Sequence, residues 1–280
     1  MNVLKKFFII LCSILLLSSL CGCTEKNESP EEIMKKTFEA QKSIKSLSCT
    51  MDMSLSFVSN DTPVDIQISG NIETTSNPVA SKTDITLNLS NLLNLNIISY
   101  AKQEGNEYNV YTGFKIGDQI TWEKGTSELP ENISSSLTNN KYIDDITSYR
   151  LIGKEKINGK DTYHIVGSIS RDGLINVINS LNIFEQLEGD EKETFDTILN
   201  LLDDIEVDIW VYTDNYLEAK IQIDMCDIFR SIVELSPETS ADFSEARVTI
   251  TFDKYNNIDS IEIPQEALEA SESSLEGLLG

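Results

Sequence analysis

Residues 47–57, LSCTMDMSLSF, carry the clearest indication of the fold of this chain. Apolar side chains occupy every second position in this stretch and alternate with Ser, Thr or Asp. A period of two is typical of a β-strand that buries one face and exposes the other. Residues 31–46, which follow Pro30, have helical spacing instead. The change of period therefore predicts a helix that is followed directly by a long strand.

Similar alternation recurs in both halves of the chain. In the first half, runs up to residue 125 are separated by Asn, Asp, Gly or Pro, which predicts an antiparallel meander. In the second half, Asn158-Gly159 joins two alternating runs, and Asn-Gly is the strongest short-range signal for a hairpin. Further strands are predicted over residues 205–213, 216–225, 243–253 and 258–263, with a short helix over 227–235. The sequence thus predicts one α+β domain with about ten or eleven strands and three or four helices.

Two segments interrupt the strand pattern. Residues 171–204 have helical spacing and are predicted to form a helical insertion. Residues 265–280 are acidic and rich in small side chains, which predicts a flexible tail. Residues 128–147 are predicted to be irregular or helical.

The N-terminus has the three parts of an export signal. Lys5 and Lys6 precede the apolar run FFIILCSILLLSSL at residues 7–20, and small residues follow. The run is shorter than the ~20 apolar residues that a membrane-spanning helix needs. Residues 20–23 (LCGC) resemble the bacterial lipobox, in which the cysteine receives a diacylglycerol. This resemblance implies a signal peptide over residues 1–22 and lipidation of Cys23; an ordinary signal peptide or an uncleaved anchor remains the alternative.

A lipid on Cys23 would hold the protein at the outer face of the cytoplasmic membrane. Two acyl chains on such a palmitate-type anchor give stable attachment, whereas one chain binds reversibly. Residues 23–30 would then be the lipidated cysteine and a short linker. Thus a membrane is the first partner that the sequence predicts.

Charge and cysteine content limit the other partners. The formal net charge is −24, which argues against nucleic acid and against anionic headgroups as direct partners. After cleavage and lipidation, Cys49 and Cys226 remain, either as a disulfide or as buried thiols. No CxxC or Cys/His cluster is present, so no metal site and no cofactor are predicted.

Catalytic signals are weak. His164 is the only histidine, and no nucleophile motif accompanies it, so a structural or surface role is predicted. The acidic pairs lack the spacing of a calcium-binding loop and are predicted to be solvated surface; they are Asp144-Asp145, Asp203-Asp204 and Asp224 with Asp227. The chain is therefore not predicted to be an enzyme.

The order of elements resembles the LolA/LppX-like group of exported lipoproteins and lipoprotein carriers, including uncharacterised Gram-positive lipoproteins. The matching motifs are LIGKE at residues 151–155, NGK at 158–160, Tyr163, WVYTD at 210–214, AK at 219–220 and the segment 257–264. The resemblance covers residues 31–264 and implies a strongly curved antiparallel sheet, a half-barrel, with helices covering the concave face. Several members of the group hold an acyl chain or a lipoprotein lipid between sheet and helices, and the group shares no catalytic centre. The insertion and the anchor distinguish this chain from carriers that shuttle between membranes.

Apolar residues of the first three strands would line one face of such a sheet. Residues 92–98 and helices within 174–202 would cover it. Apolar pockets bind apolar ligands and methionine adapts to acyl chains, but a packed core has the same composition, and both interpretations stay open. The predicted lining residues are Met51, Met53, Leu55, Phe57, Ile66, Ile68, Ile85, Leu87 and Leu89.

Together these features predict a non-enzymatic, membrane-tethered protein that binds a lipid or another apolar ligand. The alternative is a sensor or assembly module that binds another envelope protein through a sheet edge or through the 171–204 insertion.

Overall fold

The computed structural model describes residues 28–59, 61–90, 92–105, 107–117, 119–127, 146–173, 175, 197, 204–234 and 241–271. The helices in the described ranges include α1 (Pro30–Gln41), α2 (Cys226–Glu234) and α3 (Gln265–Leu268). Eleven strands lie in the described ranges: β1 (Ser46–Ser59), β2 (Thr62–Ser76), β3 (Val79–Leu89), β4 (Leu93–Glu104), β5 (Glu107–Ile116), β6 (Gln119–Ser127), β7 (Ile146–Ile157), β8 (Lys160–Ile169), β9 (Ile205–Tyr212), β10 (Glu218–Asp224) and β11 (Ala241–Tyr255).

The strands form one antiparallel sheet in the order β6-β5-β4-β3-β2-β1-β11-β10-β9-β8-β7. Each half of the chain is a meander, and the two meanders are joined where the first strand pairs with the last, with Met51 opposite Ile250. Among the described strands, β6 and β7 are the edges, so the sheet is open. The predicted α+β class and the curved antiparallel sheet are confirmed.

Up-and-down connectivity gives the sheet two ends. The proximal end carries α1, the start of β1 and the turns β2–β3, β4–β5, β7–β8 and β9–β10. The distal end carries the turns β1–β2, β3–β4 and β5–β6. The inner face is the face on which α1 and α2 pack, and the outer face is the opposite one.

Helix α1 begins with a capping box. The Ser29 hydroxyl accepts a hydrogen bond from the Glu32 N–H, the Glu32 carboxylate accepts one from the Ser29 N–H, and Pro30 is the first helical residue. These contacts satisfy N–H groups that have no partner within the helix. Ile33 and Met34, both fully buried, pack on the inner face at the proximal end.

Helix α2 covers the inner face at the distal end. Phe229 stacks on Phe243 of β11 with ring centroids 5.5 Å apart, and Phe243 lies 5.1 Å from the Phe57 ring. Arg230 donates a hydrogen bond of 3.1 Å to the Phe243 carbonyl oxygen. The two helices thus cover opposite ends of one face, whereas the covering helices predicted within 174–202 lie mainly outside the described residues.

The C-terminal segment, residues 256–271, differs from its prediction. Residues 258–263 are not a strand; they cross the outer face, where Ile261 packs with Tyr100 and Tyr111. The predicted flexible tail begins too early, because α3 buries Ala267 completely and the Lys124 N–H donates to the Ser271 carbonyl oxygen. The acidic composition gave the wrong prediction because a few apolar residues are enough to hold this segment on the sheet. Residues 272–280 lie outside the described residues.

Several predictions fall wholly or mainly outside the described residues. They are the signal peptide 1–22, Cys23, the segment 128–147, of which residues 146 and 147 belong to β7 instead, and most of the insertion 171–204, of which residues 171–173, 175 and 197 are helical. Within the described residues, no helix is both long enough and apolar enough to span a bilayer.

Cys49 and Cys226 are free thiols. Cys49 is buried in the cluster beneath α1, whereas Cys226 belongs to the distal cluster around α2. Burial raises the pKa of the Cys49 thiol to about 11, so that this thiol is protonated at neutral pH. Of the two alternatives from sequence, the structure shows the free thiols.

Candidate functional site: an apolar stripe across the inner face

The predicted lining residues share the inner face and lie in register. Leu55 pairs with Ile66, and Ile66 with Leu89; one row further, Met53, Ile68 and Leu87 are aligned in the same way. Because side chains alternate between faces along each strand, residues paired across strands project to the same side. The pairing therefore turns short patterns from three strands into continuous apolar rows.

These rows extend over strands that the sequence did not assign to the lining. Leu95 and Ile97 pair with Leu87 and Ile85, and Ile97 pairs in turn with Phe114. The prediction that residues 92–98 cover the face is therefore wrong, since 93–98 belong to β4 and continue the lining. The run LLNLNII hid this because alternation is weak in it.

On the other side of β1 the rows continue into the C-terminal meander. Met51 pairs with Ile250 and Met53 with Val248 of β11. Sequence reasoning could not add these residues, because nothing local indicates that the first and last strands pair.

Burial divides the inner face into two parts. Beneath α1, the side chains of β8–β10 are packed: Ile165 is 0% exposed and Ile209 is 1% exposed. Across β1–β5 and β11, most inner-face apolar residues are half-buried, whereas Leu55 is 8% exposed and packs in the cluster around α2. We call this second part the apolar stripe; its members are Met51, Met53, Leu55, Phe57, Ile66, Ile68, Ile85, Leu87, Leu89, Leu95, Ile97, Phe114, Val248 and Ile250.

Gly70 interrupts the apolar stripe between Met51 and Ile85. A Cβ atom at residue 70 would lie 3.2 Å from Ile85 Cγ1 and 3.3 Å from the Asp84 carbonyl oxygen. A side chain at residue 70 would therefore crowd Ile85. Because Gly70 has no side chain, the surface of the apolar stripe is lower at β2 than at the neighbouring strands.

A buried acid lies at the proximal end of the inner face. Glu218 is fully buried, next to Gln41 in the last turn of α1. Burial raises its pKa to about 8, and a smaller effect of the Gln41 amide lowers it. The acid is therefore mostly neutral at pH 7, which lets it remain in an apolar region.

His164 belongs to a network on the outer face. Its Nε2 lies 2.6 Å from Asp208 Oδ1, and its Nδ1 lies 3.0 Å from Glu155 Oε1. The ring stacks on Trp210 at 4.4 Å between centroids, and the Trp210 N–H donates to Glu155. Because both ring nitrogens and one ring face are engaged, the arrangement fits the predicted structural role, and it lies on the opposite face from the apolar stripe.

Acidic residues around α2 also have local partners. Asp224 accepts a hydrogen bond of 2.9 Å from the Cys226 N–H, and Asp227 lies 2.7 Å from Arg230. Asp144, Asp145 and Asp203 lie outside the described residues. Within the ranges that the structure describes, no three His, Cys, Asp or Glu side chains are grouped so as to hold a metal ion.

The solved structures that are similar to this chain include the following three. Lipoprotein LppX of Mycobacterium tuberculosis is 14% identical, with 84% of this chain and 100% of that chain covered and a TM-score of 0.44. LprF of Mycobacterium bovis is 12% identical, with coverages of 85% and 97% and a TM-score of 0.46. A DUF1329 family protein of Desulfovibrio piger is 10% identical, with coverages of 84% and 96% and a TM-score of 0.26.

The sequence motifs resemble the LolA/LppX-like group, and LppX is among the similar structures. With TM-scores below 0.5, the fold rests on the strand pairing of this chain itself. No curated protein matches the sequence. The model of the family DUF6612, whose description is a family of unknown function, matches residues 29–272, and the chain belongs to that family.

Proposed function

We propose that this protein is an exported lipoprotein, tethered through Cys23, that binds a lipid or a similar apolar ligand on the apolar stripe without catalysing a reaction. The observation that carries the proposal is the half-buried state of the stripe. A packed core excludes water from its side chains, as beneath α1, whereas the stripe leaves apolar surface in contact with solvent.

The dimensions and chemistry of the stripe suit an acyl chain. The stripe crosses six neighbouring strands, and five strand spacings amount to about 24 Å. Met51 and Met53 lie at its centre, and their unbranched side chains adapt to a flexible ligand. Each methylene that is removed from water contributes about 0.8 kcal/mol, so a long chain provides enough free energy for binding.

The tether is supported by the lipobox-like residues 20–23 and by the short segment between them and α1. A firmly anchored protein would hold its ligand near the bilayer or pass it to a partner. It would not shuttle between membranes as a soluble carrier does.

A matched pair of leucine variants tests the ligand site. Leu87→Gln places a polar amide in the stripe, while Leu92→Gln makes the same change in the β3–β4 turn, where the leucine is 84% exposed. With the full mature chain and a fluorescent fatty acid as the probe, we expect about tenfold weaker binding for Leu87→Gln and little change for Leu92→Gln.

Lipid carried by the native protein provides the second measurement. We expect mass spectrometry of organic extracts to find lipid in protein purified from its own membranes. The absence of extractable lipid together with absent probe binding would contradict the proposal, as would equal weakening by both variants.

A second candidate function is docking to another envelope protein. The observation that favours it is a set of exposed apolar side chains at three neighbouring distal turns: Val58, Leu92, Leu93, Ile116 and Ile120. Exposed apolar patches of this kind are typical of protein interaction sites. This candidate concerns the distal end and is compatible with a ligand on the stripe.

A further inference from the structure

We propose that the proximal end of the sheet lies against the anionic headgroup surface of the bilayer that holds Cys23, with the β7–β8 hairpin in contact with the headgroups. The inference rests on the tether described above, but it does not depend on a ligand in the apolar stripe.

The first step is the position of Glu28, the first described residue. Its carboxylate contacts the Lys36 ammonium of α1 and accepts hydrogen bonds of 3.1 and 3.2 Å from the Tyr216 hydroxyl. The Lys36 ammonium also lies 4.5 Å from the centre of the Tyr216 ring. Tyr216 follows the β9–β10 turn, so Glu28 is docked at the proximal end.

The second step compares lengths. Residues 24–27 separate Cys23 from Glu28, and five Cα-to-Cα steps span at most about 18 Å when fully extended. Strand β1 has 14 residues, which corresponds to about 46 Å. The segment can therefore hold the proximal end at the headgroups, whereas the distal end lies beyond its reach.

The third step is the chemistry of the β7–β8 hairpin. The ammonium of Lys154 lies 5.1 Å from the Tyr163 ring centre, and that of Lys160 lies 5.1 Å from the Tyr212 ring centre. Lys156 lies 3.7 Å from Asp161, and both side chains are largely exposed. Lysine and tyrosine suit a membrane interface, because their apolar parts and polar tips prefer different sides of it.

The fourth step concerns charge. The net charge of −24 predicts repulsion from anionic lipid, yet charges more than about 8 Å apart are largely screened at physiological ionic strength. Three acids near the hairpin have local partners: Glu28 has Lys36, Asp161 has Lys156, and Glu155 has Trp210 with His164. A fourth acid, Asp214 in the neighbouring β9–β10 turn, is exposed. For headgroups in contact with the hairpin, attraction to its lysines would thus be stronger than repulsion from acids that lie more than about 8 Å away.

The experiment measures which end approaches the bilayer. The lipidated full-length chain with Cys226→Ser is reconstituted into phosphatidylcholine vesicles with one-third phosphatidylglycerol, and fluorophores are attached at Asp214→Cys or at Asp242→Cys. Asp214 lies in the proximal β9–β10 turn, and Asp242 lies at the distal start of β11. With a nitroxide on the lipid headgroup, we expect strong quenching at residue 214 and little at residue 242.

A pair of charge reversals tests the hairpin. We expect Lys156→Glu with Lys160→Glu to shift the docking equilibrium about tenfold or more toward the undocked state, and thereby to reduce quenching at residue 214. The matched control is Lys115→Glu with Arg247→Glu, two exposed cations away from the hairpin. High ionic strength and vesicles of phosphatidylcholine alone should reproduce the effect of the hairpin variant.

The outcomes separate this inference from the proposed ligand site. Membrane-bound protein with weak quenching at residue 214, or equal effects of both charge reversals, would overturn the docking inference and leave lipid binding unaffected. Protein that does not remain with the vesicles would overturn both the tether and the docking. Loss of lipid binding alone leaves the expected quenching pattern unchanged.

Discussion

Glu218 shows how one residue couples the fold to pH. Its carboxyl group is completely buried between β10 and the last turn of α1, and its pKa is raised to about 8. In the described residues, neither Glu218 Oε1 nor Gln41 Nε2 has a hydrogen-bond partner of normal geometry. An ionised Glu218 would therefore be a buried charge that the neighbouring Gln41 amide stabilises only in small part, which is strongly unfavourable.

This burial predicts a pH-dependent stability. The pKa of Glu218 in the folded state is above its unfolded value of 4.5. The protonated carboxyl group therefore makes its full contribution to the free energy of unfolding below pH 4.5. Between pH 4.5 and 8 the unfolded chain ionises first, so the free energy of unfolding falls, and above pH 8 the loss is complete. We expect Glu218→Gln to remove this decline and to be more stable than the wild type at pH 9.

Urea unfolding from pH 4 to pH 9 measures the effect. Glu206→Gln is the control, because Glu206 is a largely exposed acid on the neighbouring strand β9. Parallel stability profiles for the wild type and Glu218→Gln would contradict the prediction.

At the level of elements, the hairpins at the two ends of the sheet differ in character. The proximal β7–β8 hairpin presents lysines beside tyrosines, whereas the distal turns present apolar side chains, with Leu92 84% exposed and Ile116 77% exposed. If the proximal end faces the bilayer, the distal turns point away from it. Their apolar tips then suit a protein partner better than the protein's own membrane.

The two ends of β4 allow a direct comparison in cells. We expect a photo-crosslinking amino acid at Leu92 to form a discrete protein adduct and the same amino acid at Glu104 to form none, because the exposed apolar surface is distal. The adduct should weaken when Ile116→Ser is added. Equal crosslinking from both positions, or no effect of Ile116→Ser, would contradict distal docking.

At the level of the whole molecule, the C-terminal part of the chain makes two contacts that the fold needs. Strand β11 joins the two meanders through β1, and the segment after it then crosses the outer face to reach β5 and β6. There Ile261, 8% exposed, and Ala267, 0% exposed, cover Tyr100, Tyr111 and Trp122. Residues far apart in sequence thus hold both faces of the sheet.

Nested truncations test the role of this segment. Ending the chain after Ser271 should change stability little, whereas ending it after Asn256 should uncover Trp122, shift tryptophan emission to the red and cost at least about 3 kcal/mol. Should the shorter chain fail to fold, Ile261→Ala provides the milder variant, with an expected loss of about 2–4 kcal/mol. Equal stability of the two truncated chains would show that residues 257–271 do not hold the outer face.

The sequence by itself determined the type of most elements. Alternation in residues 47–57, the Asn158-Gly159 turn and the helix start at Pro30 are local signals, because period, turn conformation and helix initiation depend on near neighbours. Nine members of the apolar stripe were predicted in this way. The prediction from alternation was wrong at residues 92–98, where an apolar run hides a strand. It was also wrong at residues 258–263, where an extended segment outside the sheet has the pattern of a strand.

Tertiary structure alone decided which residues meet. The pairing of Met51 with Ile250, the addition of Leu95 and Ile97 to the stripe, and the docking of Glu28 beside Tyr216 all join distant parts of the chain. Only the assembled sheet separates the packed face beneath α1 from the half-buried apolar stripe. The physical reason is that burial depends on what covers a side chain in space, and a local hydrophobic pattern cannot report that cover.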